Sequence, residues 1–222
     1  MLSIVIPTLN AADTLTRTLN ALIGSGIEQE VVVADGGSTD FTPLVAERCG
    51  ARVVRVMGGR GAQLRAGAEA TSGEWLLFLH PDAVLEPGWG QAVAAFRAHP
   101  LSAGRAAFFR FRLDHHGAAA RGLEALVRWR CRRLGLPYGD QGLLLHRAFY
   151  DGLGGYSALP LIEDIDLARR IGRERLVGFR VAAIHSPRRG FALRAARDLA
   201  RLGLHYIGVA PRLAAHFGGN GI

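Results

Sequence analysis

The sequence predicts an α/β fold, a doubly wound, mostly parallel sheet with a nucleotide-binding N-terminal half. Three observations predict it. Short apolar runs such as Ile4-Val5-Ile6, Val31-Val32-Val33 and Trp75-Leu76-Leu77-Phe78-Leu79 read as strands buried on both faces. Each run stops at proline or a carboxylate, and segments of helical spacing follow. The resulting order is β-α-β-α-β-α-β over about ninety residues, with connections that suit right-handed crossovers.

The first strand, in Ser3 to Asn10, is terminated by Pro7, which has no N–H to donate. A helix follows with Leu15, Leu19, Leu22 and Ile23 at helical spacing, capped by Asp13 or Thr14. The second strand, Glu30 to Asp35, ends in a carboxylate. In the turn Asp35-Gly36-Gly37-Ser38-Thr39-Asp40 the glycines permit close approach of a ligand, and Ser38 or Asp40 can cap the helix from Phe41 to Cys49. The third strand is Ala51 to Val56. A glycine- and arginine-rich loop, Gly58 to Arg65, then opens a helix over Ala66 to Ala70.

The fourth strand, Trp75 to Leu79, stops at His80-Pro81-Asp82, and a helix is expected near Gln91. Beyond Pro100 the pattern changes. Ala106 to Leu113 reads as a strand, Arg121 to Leu134 as a helix and Leu143 to His146 as a short strand. After a loop with Gly152, Gly154 and Gly155, the stretch from Pro160 to Leu167 opens a helix. Phe179 to His185 is a further strand, and Phe191 to Pro211 reads as helical. With no repeat or linker, residues 1–222 form one domain, the nucleotide half at 1–100 and a second half at 101–222.

Hydrophobic residues make up 49% and charged residues 21% of the chain, which supports a sizeable core and excludes a disordered class. The formal charge is +8, and all 27 basic residues are arginine. Arginine binds phosphate bidentately, so an anionic partner is expected. The arginines are dispersed and match no nucleic-acid motif, which argues against a nucleic-acid module. Cys49 and Cys131 lack metal-ligand or CxxC spacing, as in a reducing compartment. No run approaches the ~18 apolar residues of a spanning helix, and the chain opens on a strand instead of a signal peptide. A cytoplasmic protein is expected, with contact at the inner membrane surface left open.

Ligands of open α/β sheets bind beyond the carboxyl ends of the strands. Thr8, Asn10, Asp35 and Asp82 all fall there. Each could be ordinary turn chemistry, but turn chemistry accounts less well for all of them after buried strands. Asp82 either holds a divalent cation or caps the next helix. Gly59-Arg60-Gly61-Ala62-Gln63-Leu64 has the free N–H groups and helix start that suit phosphate, without matching GxGxxG or the P-loop pattern. Glu163-Asp164-Ile165-Asp166 at a helix start either answers the helix dipole or provides a carboxylate general base. His185 closes an apolar strand as a third metal ligand or as a strand-end histidine. His115-His116 reads as solvated.

Together these stretches resemble family-2 glycosyltransferases of the GT-A fold, over nearly the whole chain. The resemblance rests on Ser3 to Asn10, Val33 to Asp40, Leu79 to Ala83 and Glu163 to Arg170, in that order and spacing. Gly59 to Leu64 and Asp140-Gln141-Gly142 further resemble a subgroup of short soluble bacterial members. The resemblance implies a nucleoside-diphosphate sugar donor (UDP- or GDP-linked), a divalent metal (Mn²⁺ or Mg²⁺) and inversion at the anomeric carbon. It assigns Thr8, Asn10 and Asp35 to base and ribose, and Arg60 and Gln63 to the ribose-diphosphate, with Pro7, Gly37 and Gln141 among the substrate-binding residues. Asp82 would bind the metal, aided by His185, and Asp164 would be the base with Glu163 beside it. The chain departs from the family's Asp-x-Asp metal motif at His80, and from its Asp-Asp-Gly-Ser run at Ala34 to Ser38.

On the helix from Arg121 to Leu134, Leu123, Leu126, Val127 and Leu134 share one face, while Trp129 falls among Arg128, Arg132 and Arg133. That pattern suits a membrane interface or a lipid-linked or anionic acceptor, and equally a solvated basic face. Arg194, Arg197 and Arg201 form a similar stripe. Two other classes compete with an active transferase. One is a nucleotide-sugar-binding protein that has lost catalysis, motivated by His80. The other is a nucleotidyltransferase, which would need a glycine-rich, lysine-bearing loop absent here.

Overall fold

The computed structural model describes residues 1–158 and 162–186. In chain order the elements are β1 (Leu2–Thr8), α1 (Ala12–Leu22), β2 (Gln29–Asp35), α2 (Thr42–Arg48), β3 (Arg52–Arg55), α3 (Arg60–Glu69) and β4 (Trp75–Phe78). There follow β5 (Ala83–Leu85), α4 (Trp89–Arg97), β6 (Ala106–Leu113), α5 (Ala118–Leu134), β7 (Leu143–His146), α6 (Arg147–Gly152), α7 (Glu163–Ile171) and β8 (Leu176–His185).

The strands form one eight-stranded sheet in the order β3-β2-β1-β4-β7-β6-β8-β5. β3, β2, β1 and β4 are mutually parallel, and β7 runs against β4. β6 and β8 are parallel to each other. Because β1 is followed in space by β2 on one side and β4 on the other, the winding reverses between β1 and β4. The carboxyl ends of these strands therefore flank a crevice.

Alternation along the strands feeds two cores. Ile4 and Ile6 pack with Leu15, Leu19, Leu22, Leu77 and Trp89 on one face. Val5, Leu76 and Phe78 pack with Leu64, Tyr156 and Leu167 on the other. Thus α1, α2 and α4 cover one face, and α3, α6 and α7 the opposite one. The mixed α/β, mostly parallel architecture is as expected.

Several local expectations are revised. α3 begins at Arg60, so the stretch expected to be a loop through Arg65 is already helix. Neither Asp13 nor Thr14 caps α1 with its side chain. Instead Asp40 reaches back across the crevice, its Oδ2 accepting from Ala12 N at 3.1 Å and its Oδ1 from Thr42 N at 2.9 Å. One carboxylate thus serves two helix starts. α6 replaces part of the expected glycine loop, and β5 was not expected at all. β5 is too short to carry a periodic signal and exists because it pairs antiparallel with β8. The expected helix from Phe191 and the arginine stripe on it lie outside the described residues.

Candidate functional site

The ends of β1 and β2 form a tightly tied floor. Asp35 is fully buried. Its Oδ1 accepts from Thr8 Oγ1 at 3.0 Å and Ser38 Oγ at 2.5 Å, and its Oδ2 from Gly37 N at 3.1 Å and Ser38 N at 2.9 Å. Burial opposes ionisation of this carboxyl, but the bonds from Ser38, Thr8 and Gly37 outweigh it and hold its pKa below the usual range. Gly37 has φ 92°, open to glycine and strained for other residues. Asn10 also sits at positive φ, 50°, its Oδ1 accepting from Thr39 N at 2.9 Å. Pro7 is buried inside β1, paired with Ala34. Gln63 points inward from α3 and its Nε2 donates to Thr8 O at 2.7 Å and Ala34 O at 2.9 Å. Its amide thereby satisfies the carbonyls at two strand ends, while Asn10 and Gly37 remain at the surface of the crevice.

At the end of β4 three donors converge. His80 Nδ1 lies 2.5 Å and His185 Nδ1 lies 2.9 Å from the same oxygen, Asp82 Oδ1. The ligand atoms of His80, Asp82 and His185 are all within 4.8 Å of one another. Registration of Ala83 opposite His185 in the β5–β8 pair brings them together. Burial opposes the charge on Asp82, but hydrogen bonds from His185 and His80, with their charges, hold its carboxyl far below the ordinary range. Burial likewise opposes protonation of His185, and its bond to Asp82 and that charge win, raising its pKa.

The third cluster joins α3 to α7. Arg60 Nη1 donates to Glu163 Oε1 and, at 2.5 Å, to Asp164 Oδ2. Asp164 Oδ2 also accepts from Gly139 N at 2.9 Å, and Tyr156 Oη donates to Asp164 Oδ1 at 3.3 Å. Burial and then the neighbouring Asp164 charge push the Glu163 carboxyl up, against the pull of Arg60. A side chain at Gly139 would place its Cβ 2.7 Å from Asp164 Oδ2 and into the Arg60 guanidinium, so it would displace those side-chain ends. Ile162, immediately before Glu163, is held at φ 70°, a strained conformation for a β-branched residue.

The 3₁₀ turn Gly139–Gln141 couples the two chemical clusters. While Gly139 N meets Asp164, the next carbonyl, of Asp140, lies 2.5 Å from His185 Nε2. A carbonyl only accepts, so Nε2 carries a proton and Nδ1 is directed at Asp82. Asp140 Oδ1 and Arg60 Nε are buried without a hydrogen-bond partner among the described residues, the kind of group that a ligand or solvent meets in a cleft. Gln141 itself is buried, its Oε1 accepting from Arg130 Nη2 at 3.2 Å and its Nε2 donating to Phe109 O at 3.2 Å.

Asp82, His185, Glu163 and Asp164 are thus joined through the Gly139–Gln141 turn, Thr8 and Asp35 are buried at the ends of β1 and β2, and the amides of Gln63 and Gln141 donate to backbone carbonyls. His80, Gly139, Asp140 and Tyr156 were not among the candidates. His80 stands at the first position of the family's metal motif and Asp140 in a motif already noted, so both carried a signal. Gly139 and Tyr156 carried none.

The mixed, mostly parallel sheet with helices on both faces is a GT-A type glycosyltransferase fold. Residues 3–114 match Glycosyl transferase family 2, and the chain belongs to that family. It is similar to glucosyl-3-phosphoglycerate synthase of Mycobacterium tuberculosis, 33% identical over 94 residues covering 37% of this chain and 29% of that protein. The chain therefore spans under a third of the length of that curated relative. Among solved structures it resembles the M. tuberculosis glucosyl-3-phosphoglycerate synthase in complex with Mn²⁺, UDP-glucose and phosphoglyceric acid (TM-score 0.61, 22% identity, 94% of this chain and 80% of that one). It also resembles S. aureus TarS 1-349 in complex with UDP-GlcNAc (TM-score 0.63, 18% identity, 84% and 58%). No described helix is long and apolar enough to cross a membrane.

His80, Asp82 and His185 suit a divalent cation. They offer two imidazole nitrogens and one carboxylate oxygen, a donor set common to first-row divalent metals. His185 donates its far ring N–H to a backbone carbonyl, the arrangement that orients a metal-ligating imidazole.

Proposed function

We propose that the protein transfers a sugar from a nucleoside-diphosphate sugar, UDP- or GDP-linked, to an acceptor hydroxyl with inversion at the anomeric carbon. The observation that carries this reading is the Gly139-Asp140 junction. Two consecutive residues of one turn meet the Asp164 carboxylate and His185, the member of the His80–Asp82–His185 cluster that reaches it.

In this reading the floor built from Thr8, Asn10, Asp35 and Gly37 receives the base and ribose. Asp82 and His185, with His80, hold Mn²⁺ or Mg²⁺. When bound, the cation supplies Lewis-acid charge where the diphosphate departs. Asp164 takes the proton of the acceptor hydroxyl as its oxygen attacks the anomeric carbon from the face opposite the leaving group. The new C–O bond forms as the bond to the diphosphate oxygen breaks, and the nucleoside diphosphate leaves with its electron pair. Tyr156 and Gly139 N orient Asp164, and Glu163 completes the carboxylate pair. Arg60 contributes fixed positive charge between that pair and the donor site. The acceptor is anionic or lipid-linked, and the enzyme works in the cytoplasm at the inner membrane surface.

His80 offers a nitrogen donor where the family's first aspartate stands, which favours the active transferase over a degenerate binding protein. Thermal-shift measurements with UDP, GDP and dTDP, with and without Mn²⁺, test the reading. One nucleotide should raise Tm in a Mn²⁺-dependent way, and Asp82→Ala should abolish the metal-dependent part. A well-folded protein shifted by none of them would refute the proposal.

A further inference from the structure

A groove of about 980 Å³ lies between α5 and the strands β6 and β8, large enough to take a ligand. Its floor is apolar, made by Phe108, Phe111, Val127, Leu176 and Phe179. Gly178 keeps this floor open, since a Cβ there would stand 3.3 Å from Phe108 Cζ. The β6–β8 register also shifts between Phe108 and Arg110, an irregularity that interrupts the flat pleat along the groove.

Arginines dominate its polar edge: Arg110, Arg112, Arg128, Arg132, Arg173 and Arg180. Their carboxylate partners are too few. Glu86 takes Arg112 at 2.8 Å and Arg110 at 3.9 Å, and Glu124 accepts from Leu113 N at 2.9 Å. Among the described residues Arg128, Arg132, Arg173 and Arg180 have no carboxylate at ion-pair distance. Like charges gathered over an apolar floor concentrate a field that an anion relieves, and guanidinium groups match phosphate bidentately. The sequence beyond Ser186 carries six arginines and one aspartate.

The groove adjoins the metal-type cluster. Phe111 lines it and stacks on His185, centroids 5.4 Å apart and rings 23° from parallel. Gln141 lines it too, next in the chain to the Asp140 carbonyl that meets His185. Trp129, on α5 between the two groove arginines Arg128 and Arg132, is 53% exposed, as suits an apolar–water boundary.

We infer that this groove binds the acceptor and that the acceptor is a phosphate-bearing amphiphile. Its phosphate lies among Arg128, Arg132, Arg173 and Arg180, and its chain covers Phe108, Leu176 and Phe179. Naming the ligand as acceptor rests on the transferase reading; binding does not.

The test is calorimetric titration of the full chain with decyl phosphate below its micelle concentration, without nucleotide or metal. Decyl phosphate should bind at least about tenfold more tightly than inorganic phosphate or decyl maltoside, because charge and chain both contribute. Arg132→Gln/Arg180→Gln and, separately, Arg128→Gln/Arg173→Gln should each weaken it by about tenfold or more, while Arg48→Gln on α2 should bind as the parent does. These arginines are exposed, and circular dichroism confirms folding of each variant. No binding of decyl phosphate, or binding insensitive to both pairs, would overturn the assignment. Equal affinity for inorganic phosphate would overturn the amphiphile, and equal affinity for decyl maltoside would overturn the anion. Mn²⁺-dependent stabilisation by nucleotide, measured on the same protein, reports separately on the transferase reading.

Discussion

Asp82 and His185 stand 103 residues apart in the chain, yet His185 Nδ1 lies 2.9 Å from Asp82 Oδ1. The contact exists because β5, directly after Asp82, pairs antiparallel with the strand that His185 closes. A metal held by these residues would be coupled to the integrity of this sheet edge. Asp82→Ala and His185→Ala should each weaken Mn²⁺ binding by more than about tenfold, by comparison with the loss seen when groups supporting a metal ligand are removed. Titration calorimetry reads this directly, and stripping metal with a chelator should lower Tm of the parent but not of Asp82→Ala.

Asp164 is predicted to be the base. Asp164→Asn preserves shape and much of the hydrogen bonding but cannot take a proton. Its kcat should fall by about 10²–10⁴, with the KM for the donor little changed. Steady-state kinetics with the donor identified by thermal shift check this, and a loss under tenfold would argue for Glu163.

Gly139 packs its backbone against both members of the Arg60–Asp164 pair. Gly139→Ala must push them apart. Turnover should drop by roughly 10²-fold, as expected when a reacting group is displaced by about an ångström. The melting temperature should move by only a few degrees, since the strain falls in a turn outside the two main cores.

Asp35 makes an acid-sensitive contribution to stability. Its folded pKa lies below its ordinary value of 3.8, so its stabilisation is complete above that value and is lost as pH falls through the folded pKa. Asp35→Asn should cost about 1–3 kcal/mol at neutral pH. The difference between parent and variant should shrink as pH falls below 3.8. Urea unfolding at a series of pH values measures it, and a pH-independent difference would contradict the account.

Much of the architecture was legible because its signals are local. Apolar runs ended by Pro7, Asp35 and His80-Pro81 marked β1, β2 and β4, and a parallel sheet places such residues at one edge whatever the remaining chain does. Asp35 and Asp82 fall at strand ends for the same reason. What a side chain faces is another matter, since that depends on which distant segment arrives. Gln63 looks like a ligand-binding residue in a linear reading, but carbonyls of β1 and β2 claim its amide. Arg60, expected beside a diphosphate, meets Glu163 and Asp164 across more than half the described chain. His80 met His185, and β5 came into being, only once β8 lay alongside. Secondary structure follows from short-range sterics and apolar periodicity, whereas hydrogen-bond and ion-pair partners are allotted by long-range packing.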